Sequence, residues 1–179
     1  MDKFFEAELR QSIRDVENFP KQGIIFKDLT TVFKNAGMLE KLTNELFEFY
    51  RTKGITKVAG VESRGFVLGS ALAVKLKAGF IPIRKPGKLP AETLRKEYTL
   101  EYGIDAVEIH KDAIEKDDII LLHDDLLATG GTSKAAYDLI TAFQPKTIYV
   151  NFIVELAFLK GREKFDPGID IFSLVKFDS

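Results

Sequence analysis

Apolar positions along the chain follow two different periods. From Phe4 through Phe5, Leu9, Ile13 and Val16 the spacing is helical, and the stretch ENFPKQG breaks it. Asn35 is a cap candidate for a second helix from about Gly37 to Tyr50, with Leu39, Leu42, Leu46 and Tyr50 on one stripe. Short apolar runs then alternate with helical patterns. KVAGV, GFIPIR, Ile119 to Leu122, TIYVNFIV and IDIFSLV read as strands; Phe66 to Leu76, the set Ala135, Ala136, Leu139, Ile140 and Phe143, and a short piece near Ala157 to Lys160 read as helices. Runs that are apolar throughout suit strands buried on both faces. The alternation therefore predicts an α/β fold: a central, mostly parallel sheet flanked by helices, with ligands bound beyond the C-terminal strand ends. Between Arg84 and Lys111 the rhythm changes. The loop RKPGKLP leads into two alternating runs around Gly103, which predict a hairpin or hood and a candidate lid over about 85–111.

Composition narrows the classes. A length of 179 residues is most simply one domain, and 45% hydrophobic content with a net charge of −1 describes a soluble globular chain. Nucleic-acid binding driven by phosphate contacts would need a basic excess or a clustered basic face. Cysteine is absent, which excludes disulfides and thiolate metal sites, and His110 and His123 are too few for an all-protein zinc site. No apolar run approaches the roughly 20 residues of a membrane span, and MDKFFEAELR lacks an apolar leader core. A reducing cytoplasm is the expected location.

The chemistry concentrates in LLHDDLLATGGTSK, Leu121 to Lys134. Here a strand ends in Asp124 and Asp125, and the turn Ala128, Thr129, Gly130, Gly131 and Thr132 opens a helix. A helix N-terminus offers unpaired N–H groups and the positive end of a dipole, so the turn reads as a phosphate cradle. Two carboxylates would repel that phosphate. They suit the vicinal hydroxyls of a ribose, because an ionised carboxylate only accepts hydrogen bonds. The order Gly131-Thr132-Ser133-Lys134 is not a Walker A loop, and no dinucleotide fingerprint occurs. A second strand-end turn, VESRGF, carries Arg64, and RKPGKLP adds Arg84, Lys85 and Lys88. Two anion sites beside a diol site fit a phosphorylated ribose that carries pyrophosphate.

IILLHDDLLATGGT resembles the PRPP-binding signature of the type I phosphoribosyltransferases: a hydrophobic strand, two acidic residues and a loop ending in T-G-G-T. FPKQGIIFKDLT, AGVESRGF, IRKPGKLP, LEYG and VELAFLKGREK are similar, in order and gaps, to the adenine-using branch of that family, from about Phe19 to Lys164. The resemblance implies transfer of phosphoribose from PRPP to N9 of adenine, giving AMP and pyrophosphate in purine salvage, with Mg²⁺ bound mainly through substrate oxygens. It places Asp124 and Asp125 on the ribose hydroxyls and Ala128 to Thr132 on the 5′-phosphate. Arg64, Lys85 and Lys88 fall on the pyrophosphate, together with Arg84, which can reach a neighbouring subunit in a homodimer. Glu101 takes the acid/base role at the purine, with Tyr102 beside it near the pyrophosphate. In the segment of about 19–34, Phe26 stacks on adenine while Ile25 and Lys27 offer backbone groups, and Leu156 packs on the opposite face. A cis peptide between Glu62 and Ser63 is also implied.

Two letters depart from the family's pattern. Thr31 stands where proline is common, which predicts a looser loop behind the adenine segment. His123 replaces an apolar strand residue; strand alternation favours a satisfied core histidine, while the adjacent carboxylates motivate the hypothesis of a raised pKa and pH-dependent PRPP affinity. Two rival functions remain at this point. One is an oxopurine phosphoribosyltransferase, which needs a donor opposite a 6-oxo group, whereas GIIFKD offers carbonyls. The other is a PRPP-sensing DNA-binding regulator, but the N-terminal stretch is too short and acidic for a helix-turn-helix.

Overall fold

The structure, a computed structural model, describes residues 3–100 and 103–179. The chain divides into two compact units, Met1–Phe49 and Tyr50–Ser179. In the first unit, helix α1 spans Lys3–Ser12 and buries Phe5 and Leu9. It stops four residues before Val16, where the helical spacing would have carried it. The Ser12 carbonyl accepts a 2.6 Å hydrogen bond from the Thr31 hydroxyl, which satisfies a helix-end acceptor. Strand β1, Arg14–Glu17, then pairs antiparallel with β2, Ile25–Asp28, and Arg14 Nε donates to its cross-strand partner Asp28 at 3.1 Å. Thr31 follows on the one-turn helix α2, Thr30–Phe33, so the expected loosening of this loop is met instead by a side-chain tie. Helix α3, Ala36–Tyr50, starts where predicted, and Asn35 Oδ1 caps the Met38 N–H at 3.0 Å. Its buried stripe is Met38, Leu42, Leu46 and Tyr50, with Leu39 only half-buried.

The second unit carries the predicted sheet. Among the described residues it is five-stranded and parallel: β3 (Lys57–Val61), β4 (Gly79–Ile83), β7 (Ile119–Leu127), β8 (Thr147–Leu156) and β9 (Ile171–Phe177), in the order β4-β3-β7-β8-β9. Helices α4 (Gly65–Leu76) and α5 (Gly131–Thr141) connect strands, and the antiparallel hairpin is β5 (Thr93–Leu100) with β6 (Gly103–His110). The central strands are buried on both faces; Val58, Ala59, Ile120, Leu121, Leu122, Val150 and Phe152 are 0–1% exposed, which is why they read as unbroken apolar runs. The hairpin is fixed to the sheet edge by paired backbone hydrogen bonds between Arg84 and Glu108, 2.7 and 3.0 Å long. The expected short helix near Ala157 is two 3-10 turns, Ala157–Leu159 and Gly161–Lys164.

Candidate active site

The site arises where neighbouring strands differ in length. β3 follows β7 from the pair Lys57 and Ile120 only as far as Gly60 and His123, whereas β8 accompanies β7 on to the pair Leu127 and Glu155. Past His123, β7 therefore has one open flank. Asp124 and Asp125 stand there, inside a strand that runs on to Leu127 rather than ending at the carboxylates. The Glu62-Ser63-Arg64 turn, which leads from β3 into α4, borders the same opening, and its Glu62–Ser63 peptide is cis, as the resemblance implied. The approach is tight: a Cβ on Gly65 would lie 2.8 Å from the His123 carbonyl oxygen.

A cleft of about 240 Å³ fills this opening, lined by Val61, Glu62, Ser63, Arg64, Lys85, Asp124, Asp125, Leu126 and the turn from Ala128 to Ser133. In its lining Gly130 takes φ 78° as the residue before α5, and among the described residues no side chain caps the helix, so its first N–H groups are suited to a ligand. The turn is braced from behind by the second 3-10 turn. A Cβ on Gly130 would come within 2.4 Å of the Gly161 carbonyl oxygen, and one on Gly161 within 2.1 Å of the Ala128 carbonyl oxygen, so two backbones meet where only glycine fits. The neighbouring Arg162 is held bidentately by Glu155 at 2.9 and 2.6 Å.

Electrostatics divide the cleft into two walls. On the β7 side, burial and then repulsion from Asp125 raise the Asp124 pKa well above the usual carboxylate value. Burial also raises Asp125, against the pull of Arg64. Arg64 Nε lies 2.9 Å from Asp125 Oδ2, a close charge contact without the alignment of a hydrogen bond. On the opposite wall Glu62 accepts from Arg84 Nη2 at 3.0 Å and from the Lys85 N–H at 2.8 Å, and the Arg84 bond holds its pKa low. Lys85 Nζ bonds to the Tyr98 hydroxyl at 3.0 Å and to Asp105. Burial draws that ammonium towards neutrality, but the bonds to Asp105 and Tyr98 outweigh it and its pKa is raised.

The structure thus gathers Arg64, Lys85, Asp124, Asp125 and Ala128 to Thr132 around one cleft. Arg84 lies just behind it on Glu62 and donates to the Lys88 carbonyl at 3.0 Å; the Lys88 side chain is exposed and off the lining. Leu156 is buried at the end of β8 and also off the lining. Ile25, Phe26 and Lys27 belong to the first unit on β2, where Phe26 meets Phe19 edge-on at 5.2 Å and Lys27 Nζ pairs with Asp15 at 2.7 Å. Glu101 and Tyr102 lie outside the described residues. His123 is corrected: it is fully buried, its pKa is lowered to about 4 by burial against an opposing bond from Asn151, and the adjacent carboxylates do not raise it. Asn151 Nδ2 points at the Phe152 and Phe172 carbonyls, so Oδ1 faces His123 Nδ1 at 2.7 Å and the ring carries its proton there.

Sequence reasoning passed over Glu62, Tyr98, Asp105 and Gly161. Glu62 stood within the quoted VESRGF without a role. Tyr98 and Asp105 face each other only once the hairpin register, Leu100 opposite Gly103, is set, and Gly161 has no local signal because its constraint comes from a turn thirty residues away.

With this geometry in hand, the relatives are informative. The phosphoribosyl transferase domain family matches residues 28–168. The adenine phosphoribosyltransferase of Bacteroides thetaiotaomicron is 55% identical over 167 residues, covering 93% of this chain and 95% of its own. The crystal structure of adenine phosphoribosyltransferase from Rhodothermus marinus superposes with a TM-score of 0.92 at 42% identity, over 98% of this chain and 100% of that one. The Saccharomyces cerevisiae enzyme, complexed with an imino-altritol bisphosphate and adenine, gives 0.90 at 38% identity, over 97% and 99%. The chain belongs to the phosphoribosyltransferase family, among the adenine phosphoribosyltransferases.

Proposed function

We infer that the protein transfers phosphoribose from PRPP to N9 of adenine, forming AMP and pyrophosphate. The observation that carries this reading is a single cleft in which an acidic pair, an uncapped helix start and two cations meet. Bond breaking at the anomeric carbon leaves oxocarbenium character on the ribose and charge on the departing pyrophosphate, so the sugar must be held still and the leaving group neutralised. The turn from Ala128 to Thr132 grips the 5′-phosphate through the α5 amides. Asp124 and Asp125 accept from the ribose hydroxyls; burial raises their pKa values, and hydrogen bonds received from those hydroxyls favour the ionised form. Arg64 exchanges its contact with Asp125 for the pyrophosphate, and Lys85 supplies a second charge on the facing wall. Arg84 and Lys88 stand behind Lys85 as further cations. Glu101 serves the purine proton with Tyr102 next to it in sequence; in the first unit Ile25, Phe26 and Lys27 are the residues for the base, and in the second unit Leu156 is.

The lining carboxylates are hard oxygen donors that suit Mg²⁺, and among the described residues no three acidic or histidine side chains cluster into a cage. The ion would be held through the oxygens of PRPP, with Asp124 and Asp125 kept for the ribose hydroxyls. When bound, it neutralises pyrophosphate charge. Homodimerisation is part of the reading: α4 is apolar on nearly every side, and Val67 and Val74 on its outer face are 43% and 79% exposed. The cytoplasm is part of the same reading as the setting for this salvage reaction; among the described residues no helix is long and apolar enough to cross a membrane.

The test is an absorbance assay of adenine, hypoxanthine and guanine, each with PRPP and Mg²⁺. Turnover with adenine alone is expected. Turnover of an oxopurine instead, or of no base at all, would overturn the assignment, the latter in favour of a PRPP sensor.

A further inference from the structure

The hairpin places two side chains beside the cleft that the chemistry above has not used. Tyr98 on β5 and Asp105 on β6 are cross-strand partners, and between them they occupy Lys85. The bonding around the Tyr98 oxygen is complete. It accepts from Lys85 Nζ at 3.0 Å and from the Thr132 hydroxyl at 3.0 Å, and it donates its proton to Asp105 Oδ2 at 3.0 Å. Asp105 is itself fixed, its Oδ1 accepting from the Ala106 N–H at 2.8 Å, and the Lys85 bond holds its pKa low. The main chain of Lys85 is fixed separately by Glu62. A lysine on a loop of proline and glycine is thus restrained at both ends, although its side chain is 39% exposed.

We propose that Tyr98 and Asp105 are positioning residues for the transfer: they form a seat that presents Lys85 to the pyrophosphate of PRPP. This rests on the transferase reading above. An ammonium has three protons, of which the seat takes two, so Lys85 can donate the third into the cleft without leaving. Fixing the side chain beforehand removes ordering entropy that a free lysine would lose on binding. The Thr132 hydroxyl ties the same seat to the phosphate turn, so the hairpin is joined to both ends of the ligand site.

Calorimetric titration of PRPP with Mg²⁺ tests the seat without requiring catalysis. Asp105→Asn and Tyr98→Phe should each weaken PRPP about fivefold, the scale of one half-exposed charged hydrogen bond, with the KM for adenine unchanged. Asp105→Glu should recover part of the loss. In a Lys85→Ala background the Asp105→Asn change should shrink to within about twofold, because the seat then has nothing to hold. Unchanged or tighter PRPP binding in both single variants, or an equal loss with Lys85 absent, overturns the proposal. A wild type that binds PRPP but makes no AMP would instead refute the transferase reading and leave the seat to be judged by affinity. A wild type that does not bind PRPP refutes both.

Discussion

At the scale of the residue, burial along β7 moves the pKa values of two adjacent groups in opposite directions and favours the neutral form of both. His123 is kept neutral by burial, with a folded pKa near 4 against about 6.5 when free. A lowered histidine pKa means that the unfolded chain binds more protons, so this group's contribution is full above pH 6.5 and is lost as the pH falls towards 4. The loss should reach at most about 3 kcal/mol. Urea melts across pH 7 to 4 should therefore show the wild type losing stability relative to His123→Val as the pH drops; parallel curves would show that the ring carries no such cost. PRPP affinity should not follow His123 titration, since the ring pairs with Asn151 rather than with the aspartates. Asp124 runs the other way. Its raised pKa makes the ionised folded state costly at neutral pH, so Asp124→Asn should gain about 1 kcal/mol of stability at pH 7. The same variant should lose about tenfold or more in PRPP affinity, because a neutral amide accepts ribose hydroxyls less strongly than a carboxylate. A variant that bound PRPP normally would remove Asp124 from the ribose site. The residue types of this site were legible in HDDLLATGGT and VESRGF, but their charge states were not, because burial is absent from the sequence.

At the scale of the element, the strands and helices of the second unit follow the hydrophobic pattern closely, and the errors fall where a distant contact overrides a local one. α1 ends early because the Thr31 hydroxyl takes the Ser12 carbonyl and because Arg14 has a cross-strand partner in Asp28. β7 outlasts its apolar run because β8 supplies hydrogen bonds as far as Leu127. The phosphate turn depends in the same way on a piece of chain thirty residues on. Gly161→Ala would set a methyl against the Ala128 carbonyl and push the turn out of place. It should cost about 1–3 kcal/mol of stability, the usual scale of overpacking, and weaken PRPP at least tenfold. Gly37→Ala on α3, where the nearest atom is 3.5 Å away, is the control and should do neither. Normal PRPP affinity in Gly161→Ala would show that the turn does not need this brace.

At the scale of the whole molecule, the exposed apolar face of α4 leads to a statement about assembly. Sedimentation should give a dimer for the wild type, and Val74→Glu, which puts a charge on that face, should shift it towards monomer with its melting temperature largely kept. A Val74→Glu dimer of unchanged stability would place the interface elsewhere. Periodicity alone determined the α/β class and the parallel sheet, because a strand buried on both faces must be apolar throughout and a covering helix must carry a stripe. The family likeness and the ligand class followed from short contiguous segments, since a phosphate cradle needs consecutive backbone N–H groups and a diol clamp needs neighbouring carboxylates. Only the tertiary structure decided which cations share the cleft, what Lys85 rests on, why Gly161 is glycine and that His123 stays neutral. Each of these depends on groups far apart in the chain meeting at a few ångströms, and on the water excluded when they meet.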